Sequence, residues 1–306
     1  MTPVKWVYSF LEKYRYKMAA GLLMVTGIAL LTIVNPYISG RIVDDVITGG
    51  NYKLLPVLIG CLLGVVALKG ILRYASQVMF EICSQGVLYS MRDAVYRKLL
   101  QEDFSFYNKN RTGDLMSRQT GDMDAIRHFI AYIIYSVYEN ILLLSFALIM
   151  IFTVNVKLAL AMLVVLPFTA LTTYGQSKSV RPAFMKIRQQ FSSLNTFVQE
   201  NISGNRVVKA FAREDFEIEK FNKENDAYRD AELNAAAIWK KYVPIFEFLS
   251  NILTVVLMLY GGYMVIQGEI TMGNLVTVNG YLWMLTVPLR MAGWWINDIH
   301  RFTTSA

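Results

Sequence analysis

The sequence predicts an all-α, polytopic membrane protein of six long transmembrane helices whose inner ends extend into the cytoplasm. Three observations carry that prediction. Hydrophobic residues make up 55% of the 306 and charged residues only 17%, against about 45 to 50% apolar and about 25% charged in an ordinary soluble domain. Six stretches, 18–38, 54–74, 130–153, 156–174, 245–266 and 275–296, are apolar over the roughly 20 residues that a helix needs to cross about 30 Å of hydrocarbon. The connections between them alternate short and long, and lysine and arginine gather in the long ones.

The net charge of +7 does not point to nucleic acid, because the basic residues form blocks between apolar runs and lack the aromatic interleaving of a binding groove. Cys61 and Cys83 fall in one predicted helix, too far apart for a disulfide; both are read as packing residues. No metal site is expected.

In chain order, residues 1–17 form an amphipathic segment that places Val4, Val7, Phe10, Leu11 and Tyr14 on one face with lysines opposite. That pattern suits an elbow helix lying along the inner membrane interface. The apolar run that follows is too long for a signal peptide and lacks a convincing cleavage site, so it stays as the first span. Spans 1 and 2 are joined by DDVITGGNYK, spans 3 and 4 by little more than Asn155, and spans 5 and 6 by QGEITMGN.

Roughly 55 residues separate spans 2 and 3, and roughly 70 separate spans 4 and 5, with boundaries good to a few positions. Four of the lysines and arginines lie in 1–17, seven in 84–127, twelve in 177–242 and one at Arg301, whereas the short turns hold only Lys53 and Lys157, with Arg41 just before the first. The positive-inside bias therefore puts both termini and both long stretches in the cytoplasm. The long stretches are themselves helical, since apolar residues recur at helical spacing in Val87, Met91, Val95, Leu99 and in Phe184, Ile187, Phe191, Leu194, Phe197. About 20 residues of continued helix adds about 30 Å, and such extensions are expected to pack on one another as a bundle in water below the bundle in lipid.

Each extension must turn back at its tip. In the first, Phe104, Phe106 and Tyr107 are apolar in a solvated segment, and Thr112-Gly113-Asp114 breaks the chain and caps a new helix. In the second, Val207, Val208 and Phe211 close one helix, a charged turn follows, and Phe216 and Phe221 mark the next. Exposed aromatics far from a membrane call for a partner to cover them; an internally packed hairpin is the other reading.

The two tips, YNKNRTGDLMSRQTGDMDAIR and ENISGNRVVKAFAREDFEIEKFNKEN, together with the ending GEITMGNLVTVNGYLWMLTVPLRMAGWWINDIHRFTTSA, resemble the transmembrane domain of type I (type IV in newer schemes) ABC exporters of the bacterial half-transporter kind. The likeness runs over essentially the whole chain, 1–306, with a six-helix core at 18–302 and hairpins around 84–127 and 177–242. It implies that short coupling helices near 104–110 and 213–219 dock into nucleotide-binding domains. Phe104, Phe106, Tyr107, Asn108, Gly113 and Asp114 would serve the first, and Phe211, Arg213, Glu214, Asp215 and Phe216 the second, which reaches the opposite subunit. It further implies a domain-swapped dimer with a second transmembrane half (homo- or heterodimer), a place in the inner (plasma) membrane, a small-molecule, lipid or peptide cargo, and ATP with Mg2+ in the full-length transporter. The sequence carries no GxxxxGK[ST] phosphate loop. Residues 303–306 match the start of the family's linker to a nucleotide-binding domain, so this chain is expected to hydrolyse no ATP and to carry no cofactor.

Ionisable residues inside spans are functional candidates by default. Counted from the outer ends, Lys69, Glu139 and Arg290 all lie about 21 to 22 Å down their helices, whereas Arg73, Glu81 and Glu247 fall near the inner interface and can snorkel. Two readings stay open: a structural ion pair of Glu139 with Lys69 or Arg290, or a polar floor to a substrate cavity that also includes Asn279, Trp283 and Met284. Pro288 interrupts the last span, Trp294 and Trp295 suit an interfacial belt, and Gly60 and Gly64 have the spacing of a close helix contact. Competing classes are a non-ABC transporter, which would show internal repeats and interrupted helices, and a channel or scaffold subunit whose tips bind another partner.

Overall fold

The computed structural model describes residues 3–306, with side chains from residue 5 onward; the Val4 side chain lies outside the described residues. Among these the chain forms helices and turns and no strand. A short helix α1 (Pro3–Leu11) leads into α2 (Arg15–Arg41), which continues as a π-helical stretch over Ile42–Thr48. Then come α3 (Leu55–Leu100), the short α4 (Phe104–Lys109), α5 (Thr112–Val154), α6 (Val156–Ala210), α7 (Glu214–Ile266) and α8 (Met272–Ser305). At 46 residues, α3 is about 69 Å long, more than twice the hydrocarbon thickness. The helices do run on past their apolar segments.

Five of the six long helices, α2, α3, α5, α6 and α7, have a stretch long and apolar enough to cross a membrane. The sixth, α8, falls short of the apolarity expected of it, because Asn274, Thr277, Asn279, Thr286 and Arg290 interrupt its run. Packing explains how it tolerates them. Leu275, Thr277, Val278, Tyr281, Leu282 and Leu285 are buried, Tyr281 donates to the Ile33 carbonyl at 3.1 Å and Thr277 to the Pro36 carbonyl at 3.3 Å. A polar side chain on a span is cheap when a neighbouring helix supplies its partner.

The same pair of helices shows what drives association in lipid, where close backbone approach replaces the hydrophobic effect. A Cβ on Gly40 would stand 1.9 Å from Thr277 Oγ1 and 2.5 Å from the Gly273 carbonyl oxygen, and one on Gly280 would stand 2.6 Å from Pro36 Cβ. Gly60 and Gly64 do not make the expected contact within this chain: nothing lies within 4 Å of either Cβ position.

The short connections behave as their residues dictate. Asn155 is extended, and its side chain accepts from the Lys157 and Leu158 amides at 2.8 and 3.3 Å, capping α6 as soon as α5 ends. The α2–α3 turn closes through Gly50 at φ 66°, a backbone suited to glycine. Asp44 reaches across to accept from Thr271 Oγ1 at 2.6 Å and the Gly273 amide at 2.7 Å at the start of α8. Lys157 and Glu269 pair at 3.0 Å, so the three short connections gather at one end.

Contacts divide the chain into two compact units, residues 1–166 with 252–306, and 167–251. In the first, Val87, Leu88, Met91, Met123, Ile126 and Ile130 form a core with Val7 of α1 and Phe302 of α8. These residues of α3 and α5 lie at or beyond the ends of the apolar spans, where burial from water stabilises by about 1.5 to 3 kcal/mol per large side chain. On α1, Val7 is thus turned onto protein, 1% exposed, with Phe10 and Leu11 partly buried against the same core. Cys83 is buried, as its packing role requires, but Cys61 is exposed.

The second unit is a helical hairpin of the inner arms of α6 and α7. Its arms touch through Phe191 and Tyr228 (ring centroids 5.6 Å apart), Ser179 and Tyr242 (3.3 Å), and Asn201 with Glu217 (3.1 Å). Between residues 176 and 240 only Ala231 and Ala235 are buried. The tight bundle expected of both extensions therefore forms in the first hairpin and not in the second, where the periodic stripe from Phe184 to Phe197 stays half-open.

Candidate functional site

The first tip holds a helix of its own. Asp103 is extended, α4 covers six residues, and Asn110 and Arg111 are extended again before α5 begins at Thr112. The chain break thus sits at Asn110-Arg111, and Thr112, Gly113 and Asp114 lie inside the first turn of α5, a correction to the expected breaker. Asp114 there places its charge at a helix N-terminus, where it is favourable. Phe104 is 89% exposed and Asn108 is exposed, whereas Phe106 is half-buried against Tyr107 in an edge-on ring contact at 5.5 Å. The Tyr107 hydroxyl donates to the Leu99 carbonyl at 2.6 Å, tying α4 to the end of α3. Of the three aromatics at this tip, one is free and two brace the turn.

The second tip has no separate short helix. α6 ends in a Schellman turn in which the Arg213 amide donates to the Val208 carbonyl at 3.0 Å and Ala212 takes φ 47°. Phe211 and Arg213 lie in that turn, and Glu214, Asp215 and Phe216 already belong to the first turn of α7. The acidic residues Glu214, Asp215 and Glu217 suit that helix start. Phe211 is 74% and Phe216 50% exposed, and the Arg213 guanidinium and Lys220 ammonium lie 5.6 and 5.8 Å from the Phe216 ring centre. This tip is an aromatic and charged corner.

Inside the spans, the partner of Glu139 is Arg73. Its two guanidinium nitrogens donate to the two carboxylate oxygens at 2.6 and 2.5 Å, a bidentate pair with Glu139 8% exposed. The expected pairing with Lys69 or Arg290 is not made; both are without an ion pair among the described residues. Arg73 lies one helical turn beyond Lys69, and a flat guanidinium fork serves a buried carboxylate better than an ammonium does. That preference was the available signal, outweighed by Arg73's apparent depth at the interface.

The proposed cavity residues separate. Asn279, Trp283 and Arg290 are exposed and fall within about 40° of one another around α8 at 100° per residue. Met284, 0% exposed, lies on a different side of α8 and is buried, on the helix that packs against α2 and α5. Pro288 is buried in an unbroken helix, Trp294 is exposed, and Trp295 turns inward to place its indole nitrogen 3.3 Å from Ser136 Oγ, so the two tryptophans do not form one belt.

Long helices that outrun a bilayer, a turn with exposed aromatics at the end of each long pair and a polar stripe on the last span define a polytopic membrane domain. The chain belongs to the ABC transporter transmembrane region family, whose model matches residues 18–289. It is 37% identical over 288 residues to the uncharacterized ABC transporter ATP-binding protein YknU of Bacillus subtilis (strain 168), covering 93% of this chain and 48% of that protein. It is 27% identical over 276 residues to the ATP-dependent lipid A-core flippase of Syntrophus aciditrophicus (90% of this chain, 46% of that one). It is also 27% identical over 293 residues to the multidrug resistance-like ATP-binding protein MdlA of Escherichia coli (strain K12) (95% and 49%). The chain spans about half the length of the curated relatives it matches.

Proposed function

We propose that this chain is the substrate-translocating membrane domain of an ATP-driven exporter that works by alternating access. The observation that carries the reading is the pair of tips, with Phe104, Phe211 and Phe216 exposed at the ends of helices far longer than a membrane is thick. Nucleotide-binding domains are the surface these aromatics would enter, and the names of the relatives, a flippase and a multidrug resistance-like protein both described as ATP-dependent or ATP-binding, support it. A second transmembrane half would cover the open faces of the 167–251 hairpin and of α3. ATP and Mg2+ would bind outside this chain. Both termini and both tips would face the cytoplasm of a plasma membrane, on the distribution of Lys and Arg, and the stripe of Asn279, Trp283 and Arg290 would line the cargo path with Lys69.

Transport per ATP hydrolysed, measured in proteoliposomes of the full-length protein, tests the proposal. Phe104→Ala should weaken docking at least about thirtyfold, the effect of losing one interface anchor of about 2 kcal/mol, and lower that ratio with cargo affinity unchanged. Unaltered coupling would refute the role of the first tip. Cysteines placed at Asn110 and Glu214, in a background lacking Cys61 and Cys83, should label only from the cytoplasmic side.

A further inference from the structure

The helix that precedes the first span has two faces, and the fold uses only one of them. Trp6, Val7, Phe10, Leu11 and Tyr14 pack on the core that includes Val87, Met91, Met123 and Phe302. The junction of α1 with α2 is seated closely, since a Cβ on Gly86 of α3 would overlap the Tyr14 hydroxyl. With its apolar side spent on protein, α1 has no stripe left to sink into acyl chains, which is how an amphipathic interfacial helix holds a membrane.

What remains outside is basic and aromatic. Lys5, Lys13, Arg15 and Lys17 are exposed beside a single acid, Glu12, which reaches Arg15 only at 4.0 Å. Tyr8 and Tyr16 are 67% and 74% exposed among them, and the Arg15 guanidinium lies 4.8 Å from the Tyr16 ring centre and donates to its hydroxyl at 3.0 Å. Chain connectivity sets the depth of this face. Lys17 is followed directly by the apolar run that starts at Met18, so the junction lies at the level of lipid headgroups, where tyrosine is enriched and each base is drawn to an anionic surface. A second transmembrane half would approach from elsewhere. The open side of α3 is marked by Tyr89 and Tyr96, 76% and 60% exposed, and these lie about 140 to 200° around the helix from Val87 and Met91, the side on which α1 packs.

We propose that the exposed face of the α1–α2 junction is a docking surface for the anionic headgroups of membrane phospholipids, held by Lys13, Arg15 and Lys17 with Lys5 at its far end. The elbow grips the bilayer by charge and not by insertion. This requires only that α2 crosses a membrane, so it stands or falls separately from the exporter reading.

Fluorescence quenching at the face itself tests this in phosphatidylcholine nanodiscs, with the protein and any further domains it carries, and without ATP or cargo. A fluorophore is attached through Ser9→Cys, an exposed position, in a background lacking Cys61 and Cys83. The quencher is phosphatidylglycerol or phosphatidylcholine, each spin-labelled near the top of one acyl chain. The anionic lipid should half-quench at a mole fraction about tenfold lower than the zwitterionic one. Lys13→Gln with Arg15→Gln and Lys17→Gln, all exposed, should close that gap. The same loss of charge at the exposed Arg206, Lys209 and Lys223 of the second hairpin should leave it open. Equal quenching by the two lipids in the parent, or a gap that survives the triple change at the junction, overturns the proposal. So does a gap abolished by inorganic phosphate at constant ionic strength, which would make the face a site for free anions.

Discussion

Along the first hairpin, Val87, Met91, Met123 and Ile126 are all 5% exposed or less. In the second, Phe184, Met185, Ile202, Val207 and Leu233 are all more than half exposed. Both hairpins are continuous with spans, both end in an aromatic tip, and both carry apolar residues at helical spacing. They differ in what completes them. The first is finished by its own chain, since α1 and the end of α8 close its core, with Phe129 and Phe302 stacked at 4.0 Å and Ser305 donating to Asp122 at 2.9 Å. The second is a pair of arms whose periodic pattern exceeds what the pair can bury, which is the state of a helix awaiting another surface.

The sharpest way to break this contrast is at the buried charge of the completed unit. Glu139→Gln strands the Arg73 guanidinium and should destabilise the protein by up to about 3 to 5 kcal/mol, toward the lower end because the Arg73 side chain is 32% exposed and can snorkel to the interface. Replacing both, Arg73→Met with Glu139→Leu, should recover most of that loss. Thermal unfolding in detergent reads it; a Glu139→Gln protein as stable as the parent would mean that the pair is not holding α3 to α5.

A smaller effect sharpens the comparison directly. Met91→Ala empties a fully enclosed site in the first hairpin and should cost about 2 to 5 kcal/mol, in monomer and oligomer alike. Phe184→Ala, at a site 53% exposed, should leave the isolated fold within about 0.5 kcal/mol while lowering the yield of crosslinked dimer in membranes. Equal losses of stability from both variants would show the second hairpin to be closed by its own chain.

Much of the architecture was legible because membrane spans and their caps are local signals. Six apolar runs became six long helices, Asn155 alone turned the chain, and α4 formed where the first tip was expected. What escaped was orientation. A helix in lipid is apolar on both its buried and its lipid-facing sides, so periodicity on α8 could not tell that Met284 is buried while Trp283 is exposed. Depth estimates misled in the same way: Arg73 was assigned to the interface by counting residues, although a long side chain can reach back to Glu139. At the second tip the left-handed turn falls on Ala212, where no glycine announced it, and the separate short helix that the resemblance implied near 213–219 is the first turns of α7 instead.

The smallest expected effect on stability belongs to Phe216, and its value lies in that smallness. The ring is half exposed at the start of α7, with the cationic groups of Arg213 and Lys220 5.6 and 5.8 Å from its centre, contacts worth about 0.5 to 1 kcal/mol at an exposed site. Phe216→Ala should therefore shift thermal unfolding of the purified protein scarcely at all. In the full-length transporter the same ring would be an interface anchor, and losing an anchor costs 2 kcal/mol or more at a hot spot, which on a docking equilibrium is at least about thirtyfold. ATP hydrolysis should continue while transport per ATP falls, with cargo affinity unaltered. Phe211→Ala, in the turn beside it, should behave alike, whereas Asn201→Ala, which removes the bond between the arms to Glu217, should loosen the hairpin without touching the corner. If Phe216→Ala and Asn201→Ala gave the same profile, the second tip would be a structural turn, and the openness of its arms would need an explanation other than a partner that engages them.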